Sequence, residues 1–220
     1  MTKNSSLGIG VIGAGRIGTL RARLAGKHPC VNYLAISDKD PARAEALMKT
    51  AGGHRFSGSN DDIINDPKVT AVVVSTPEQQ HTAPIIAALK LGKPVLVEKP
   101  IGFSIREADQ ILQVLHETKG DLRVGYSRRY KECFLRAKEQ MLHNRLGKVV
   151  GGTARVYNSR AQAFAILKRD PHATPVIDVL TYYVDLMCWF LEGNRTVEVV
   201  ARGQHGIFKE AGYEIGRAHV

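Results

Sequence analysis

The sequence predicts an α/β fold: a doubly wound parallel sheet at the N-terminus, followed by a partial α+β domain with an open sheet. Three observations carry this expectation. Short apolar runs alternate with amphipathic segments of helical length over the first 126 residues, as βαβ units require. These runs are almost continuously apolar, which fits strands covered on both faces. Beyond residue 126 the regular alternation stops and strand-like and helical stretches become sparse.

The elements follow in order. LGIGVI, residues 7–12, is a strand, and GAGRIG leads from it into the helical pattern TLRARLAGKH. Val31 to Ser37 is a second strand, ending at Asp38. Pro41 opens an alanine-rich helix that Gly52–Gly53 closes, a proline start and a glycine stop. A short helix at Asn60–Ile64 precedes the valine-rich strand Thr70–Ser75. Helix His81–Leu91 tolerates Pro84 in its first turn and stops at Gly92. Strand Pro94–Val97, helix Ser104–Thr118 and strand Asp121–Tyr126 complete the first domain, residues 1–126.

Residues 127–220 read as an incomplete substrate and oligomerisation domain. The expected elements are a helix at Lys131–Asn144, a strand at Val149–Ser159, a loop, a helix at Asp178–Leu191 and a strand at Val197–Phe208. So few strands make a thin sheet. The last residues, EIGRAHV, continue no pattern, so 214–220 are read as a non-native tail and the natural sequence as breaking off near Tyr213.

The bulk composition narrows the function. Hydrophobic residues make up 44% and charged residues 24% of the 220, enough apolar content for a core and typical of a globular chain. No run reaches the roughly 18 apolar residues of a membrane span. MTKNSSLG lacks the apolar core of a signal peptide, so the expected location is the cytoplasm. Lys and Arg total 31 against 21 for Asp and Glu, a net charge of +10, but the basic residues are scattered. That pattern suits anionic cofactor phosphates or an acidic substrate and gives no nucleic-acid motif. Cys30, Cys133 and Cys188 have no paired spacing and read as free buried thiols; the eight histidines form no metal-ligand motif, and no metal site is expected.

Gly13, Gly15 and Gly18 form G-x-G-x-x-G between a strand and a helix. In that place the glycines permit a tight turn, close approach of backbone to a pyrophosphate, and close helix–strand packing. The helix start, with Arg16 and Ile17, presents free N–H groups and the positive end of its dipole. Asp38, 20 residues beyond Gly18, can accept from adenosine ribose hydroxyls and repels a 2′-phosphate. NAD is therefore the expected cofactor, with Lys39 and Arg43 as the argument for NADP. Thr76 and Pro77 close the strand at 70–75, beside the crevice where ligands of such sheets bind. His81 is either a ligand contact or a capping and packing residue. Glu98 and Lys99 end an apolar strand, where a charged pair points to use.

Taken together, GAGRIG, Asp38, STPEQQH, GKPVLVEKP and the later D-x-x-x-Y-x-x-D resemble the glucose–fructose oxidoreductase/inositol dehydrogenase/MocA family, in order from about residue 7 to about 208. The resemblance implies a Rossmann domain joined to an α/β domain whose open sheet mediates oligomers. It also implies NAD(P)-dependent oxidation or reduction of a hydroxyl carbon on a sugar, inositol or related polyol. By the same likeness Lys99 hydrogen-bonds the reacting oxygen and the nicotinamide ribose, Glu98 positions it, and the Lys99–Pro100 bond is cis. Many members carry D-x-G-x-H-x-x-D where this chain has Asp178, Leu180, Tyr182 and Asp185. The branch resembling glucose–fructose oxidoreductase has tyrosine there, so Tyr182 becomes the expected proton-exchanging group and Asp178 the residue orienting substrate hydroxyls. Arg128, Arg129 and Tyr130 match a stretch at the family's domain junction. The competing expectation is a catalytically inactive dinucleotide-binding sensor of the same fold.

Overall fold

The computed structural model describes residues 7–169, 176–202 and 206–212. The chain divides into two compact units, residues 1–125 and 126–220.

The first unit is a six-stranded, wholly parallel sheet of order β3-β2-β1-β4-β5-β6. Its strands are β1 (Leu7–Ile12), β2 (Val31–Ser37), β3 (Arg55–Ser57), β4 (Ala71–Val74), β5 (Val95–Val97) and β6 (Leu122–Val124). Between them run α1 (Arg16–Lys27), α2 (Pro41–Ala51), α3 (Asn60–Ile64), α4 (Thr82–Lys90) and α5 (Ile105–Thr118). The order reverses between β1 and β4, which makes the carboxyl ends of those strands the switch point. The short β3 has no signal in the sequence: it is three residues long and largely exposed.

Period-two alternation divides the core into two layers. Ile9 and Val11 of β1 join Leu34 and Ile36 of β2 against Ala22, Ala44 and Leu47 of α1 and α2. On the opposite face Ile12, Val72, Val74, Val95 and Val97 pack with Ile63, Ile85, Leu89 and Ile111 of α3, α4 and α5. Local chemistry ends the helices where the sequence predicts. Asp40 caps α2 by accepting from the Ala42 N–H (3.0 Å), with Pro41 at the first helical position and Gly52 at φ 70° behind it. Ser104 and Glu107 cap α5 reciprocally, the Glu107 N–H donating to Ser104 Oγ (3.2 Å) and the Ser104 N–H to Glu107 Oε2 (3.0 Å).

The second unit is helical among the described residues: α6 (Glu132–Leu142), α7 (Arg160–Arg169), α8 (Thr181–Phe190) and α9 (Gly206–Glu210). A π-helical turn, Val176–Leu180, leads into α8. Two expected strands are corrected here. Residues 149–159 carry no strand, and the presumed loop after them begins as α7. Of the strand expected at 197–208, residues 197–202 are irregular and 206–210 are helical, while 203–205 lie outside the described residues. Strand propensity expresses itself only against a neighbouring strand and a packed face. Here Val150 and Val197 are 93% and 96% exposed. The suspected tail at 214–220 also lies outside the described residues. The three cysteines are free but exposed, not buried, because Cys30 sits in a turn while Cys133 and Cys188 lie on outer faces of α6 and α8.

Candidate functional site

Four loops converge on the carboxyl ends of adjacent strands: 13–15 after β1, Asp38 after β2, Ser75–Pro77 after β4 and Glu98–Pro100 after β5. The first is built for close approach. Gly13 has φ 98°, and a Cβ there would lie 2.7 Å from the Ser75 carbonyl oxygen. A Cβ at Gly18 would fall 1.8 Å from the Gly13 carbonyl oxygen, so only glycine lets α1 pack onto the loop. Gly15 differs, since nothing lies within 4 Å of its Cβ position. That space lies at the N-terminus of α1, which has no side-chain cap and no acidic residue in its first turn. Arg16 is exposed and Ile17 half-buried in that turn.

Asp38 braces the loop from β2. Its Oδ2 accepts the Ala14 N–H at 2.7 Å and Arg43 Nη2 at 3.4 Å, while Oδ1 accepts the Asp40 N–H at 3.1 Å. At the switch point, the buried Ser75 hydroxyl has no hydrogen-bond partner. An open glycine face, an uncapped helix start, an acid at the end of β2 and an orphan hydroxyl together fit a dinucleotide at the N-terminus of α1.

His81 lies beneath this edge rather than in it. It is fully buried, with Nε2 3.0 Å from the Thr76 carbonyl and Nδ1 2.8 Å from the Pro100 carbonyl. The ring therefore ties the loop after β4 to the loop after β5, which supports packing over ligand contact. Thr76 also donates to the Gln80 carbonyl (3.2 Å), and Pro77 is exposed. The Lys99–Pro100 peptide is cis.

Glu98 has a partner that no local pattern reveals. Arg21 of α1 donates through Nε (2.7 Å) and Nη2 (2.6 Å) to Glu98 Oε1, with the two side chains 24% and 14% exposed. Charge-assisted hydrogen bonds of this kind are stronger than neutral ones. The pair ties the helix that follows the glycine loop to the tip of β5, next to the half-buried Lys99. The separation of 77 positions between the partners explains why the sequence does not show it.

In the second unit, the predicted face of α8 resolves into separate contacts. Asp185 takes a fork from Arg129, whose Nε lies 2.8 Å from Oδ2 and whose Nη2 meets Oδ1. The carboxylate pushes the Arg129 guanidinium further up. Arg128 lies over the rings of Tyr182 (5.0 Å) and Tyr183 (4.6 Å), and Tyr126 meets Tyr182 edge-on at 6.2 Å. Burial, aided by the Asp185 charge, raises the Tyr126 phenol. Asp178 sits in the π-helical turn with Arg169 Nη2 3.5 Å away. Lys138, buried on α6, donates to the Trp189 carbonyl (2.6 Å) and to Glu192 Oε2 (3.1 Å), a cation at the end of α8. Arg128 and Arg129 thus anchor α8, a role the sequence does not disclose because Arg129 and Asp185 are 56 positions apart.

Comparison with known proteins agrees with this fold. The family model described as "Oxidoreductase family, NAD-binding Rossmann fold" matches residues 7–126. The inositol 2-dehydrogenase of Rhizobium meliloti (strain 1021) is 30% identical over 202 residues, which cover 87% of this chain and 57% of that protein. The myo-inositol 2-dehydrogenase of Thermotoga maritima is 28% identical over 214 residues, covering 93% and 60%. Among solved structures, scyllo-inositol dehydrogenase from Lactobacillus casei with bound cofactor NAD(H) and scyllo-inositol matches at a TM-score of 0.75 and 25% identity, over 84% of this chain and 56% of that one. The chain therefore spans 56–60% of the length of these relatives.

Proposed function

The chain belongs to the GFO_IDH_MocA oxidoreductase family, and on that premise we propose that it transfers a hydride between a nicotinamide cofactor and a hydroxyl carbon of an inositol, sugar or related small polyol. The observation that carries the reading is the convergence of the open Gly15 face, Asp38 and the Glu98–Lys99–cis-Pro100 tip on one edge of the parallel sheet. NAD, when bound, supplies the two-electron acceptor.

The residues then divide the work. Gly15, Arg16 and Ile17 receive the pyrophosphate, Gly13 and Gly18 give the loop its tight turn and close packing, and Asp38 receives the adenosine ribose. Thr76 and Pro77 border the crevice, and Glu98 holds the β5 tip. Lys99 donates to the substrate oxygen, and its cation favours the alkoxide-like charge that develops as hydride leaves carbon. Tyr182 takes the hydroxyl proton while Asp178 orients neighbouring hydroxyls. The carbinol C–H bond breaks with both its electrons, the O–H bond loses its proton, and a carbonyl forms. Inositols head the list of substrates because the similar proteins are named for them.

The test is stoichiometric formation of reduced nicotinamide with a panel of inositols, sugars and polyols, on wild type, Lys99→Ala and Tyr182→Phe. Turnover that falls sharply in both variants while NAD still binds is the expected result. NAD binding with no turnover on any substrate would favour the regulatory reading. That reading draws on Tyr182, which stands where many members carry histidine and packs under Arg128.

A further inference from the structure

The ladder between β4 and β5 ends where the Glu98 N–H donates to the Val74 carbonyl at 3.0 Å. Beyond that bond the two strands run on into the loops that carry Thr76–Pro77 and Lys99–Pro100. Proline has no N–H, so neither Pro77 nor Pro100 offers a donor that could continue the pairing. The Thr76 and Pro100 carbonyls are met instead by the His81 ring, at 3.0 and 2.8 Å. A buried acceptor left without a donor is costly. The neutral ring has one N–H for either carbonyl, and the doubly protonated ring has one for each. The ring is fully buried at the start of α4, where the His81 backbone carbonyl also accepts the Ile85 N–H at 3.2 Å. Two loops of the crevice edge are thereby referred to one rigid ring on one helix.

Lys99 stands between two fixed neighbours. On one side Glu98 is held by Val74 through its backbone and by Arg21 through its side chain. On the other side Pro100 is buried and its carbonyl faces His81. We propose that His81 is a positioning residue for Lys99: by holding the Pro100 carbonyl against the loop after β4, it fixes where the Lys99 ammonium meets the substrate oxygen, without touching substrate or cofactor itself. The inference rests on the hydride-transfer reading above. It separates binding from chemistry. Gly15 and Asp38 lie in the loops after β1 and β2, so the nucleotide keeps those contacts when the ring is lost. Reacting groups misplaced by about 1 Å, in contrast, can lose about a hundredfold in rate.

His81→Phe and His81→Leu remove both ring nitrogens, and His81→Gln returns an N–H donor. On the full chain, with NAD and a polyol that wild type oxidises, the two donorless variants should lose at least about tenfold in kcat. Their Kd for NAD, by isothermal titration, should stay within about threefold of wild type. His81→Gln should recover part of the lost kcat. Substrate deuterated at the carbinol carbon should show a larger isotope effect in the donorless variants, because hydride transfer has become the slow step. Without nucleotide or substrate, hydrogen exchange should quicken at the amides of residues 98–102 while β1 and β2 keep their protection. Wild-type kcat in a donorless variant, or exchange that rises equally across the whole sheet, overturns the proposal and leaves His81 a packing residue. Where the donorless variants do not fold, His81→Gln carries the test: kcat below wild type with NAD affinity kept supports the proposal, and wild-type kcat overturns it. A wild type that turns over no inositol, sugar or polyol overturns the hydride-transfer reading and this inference with it.

Discussion

Two alanine substitutions three residues apart separate the packing demand on the glycine loop from its ligand-binding demand. A Cβ at Gly18 lies 1.8 Å from the Gly13 carbonyl oxygen, whereas ordinary contact begins at 3.4 Å. In Gly18→Ala, helix α1 must therefore retreat by roughly 1.6 Å, the difference between those distances. The obstacle is backbone, so no rotamer change relieves it. Overpacking of this kind costs about 1–3 kcal/mol, against roughly 1 kcal/mol that alanine regains over glycine within a helix. A 1.8 Å approach to backbone places the cost at the upper end of that range, so the net loss of about 2 kcal/mol lowers Tm by roughly 8 °C for a unit of this size. Gly15→Ala meets nothing within 4 Å, and its φ of −71° and ψ of −171° suit any L-residue. Its smaller chain entropy in the unfolded state, about 0.4–1 kcal/mol, offsets the poorer capping by alanine, so Tm should hold within about 2 °C. The added methyl group nevertheless occupies the approach to the α1 N-terminus, and NAD affinity should fall at least about tenfold. Scanning calorimetry without nucleotide and isothermal titration with NAD read the two effects separately. A Gly15→Ala protein that binds NAD like wild type would refute the cradle. A Gly18→Ala protein that melts with wild type would refute the close packing.

Two further outcomes follow from single ion pairs. A double-mutant cycle with Arg21→Gln and Glu98→Gln, read by urea unfolding, should give a coupling of about 1.5–3 kcal/mol, as expected for hydrogen bonds between charged groups shielded from solvent; a value near zero means that the pair does not hold α1 to β5. Asp66 is buried, which alone would raise its pKa, but the Lys68 N–H (2.9 Å), the Tyr33 hydroxyl (2.8 Å) and Arg55 (2.7 Å) outweigh burial and lower it. A carboxylate with a depressed folded pKa contributes stability that is fully present above its unfolded pKa of about 3.9 and is lost as pH falls through the folded value. Tm measured downward from about pH 5 should therefore fall more steeply in wild type than in Asp66→Asn; parallel curves would show that this carboxylate carries no acid sensitivity.

The first unit was largely legible in the chain because its determinants are local. Apolar runs set the strands, the glycine spacing marks the turn into α1, and Asp40–Pro41 and Ser104–Glu107 announce their own helices. Short-range chemistry of this kind acts within a few residues and is written in sequence order. The partners that give the site its form are not. Arg21 reaches Glu98 across 77 residues, Arg129 reaches Asp185 across 56, and His81 staples two loops through the Thr76 and Pro100 carbonyls. The same limit explains the strands that do not form at 149–159 and 197–202, since a β-rich segment becomes a strand only when a neighbour supplies its hydrogen bonds. Sequence by itself determined the parallel α/β class, the glycine loop and the charged tip of β5. Tertiary structure decided which charges meet, because pairing depends on distances in space that the order of residues does not record.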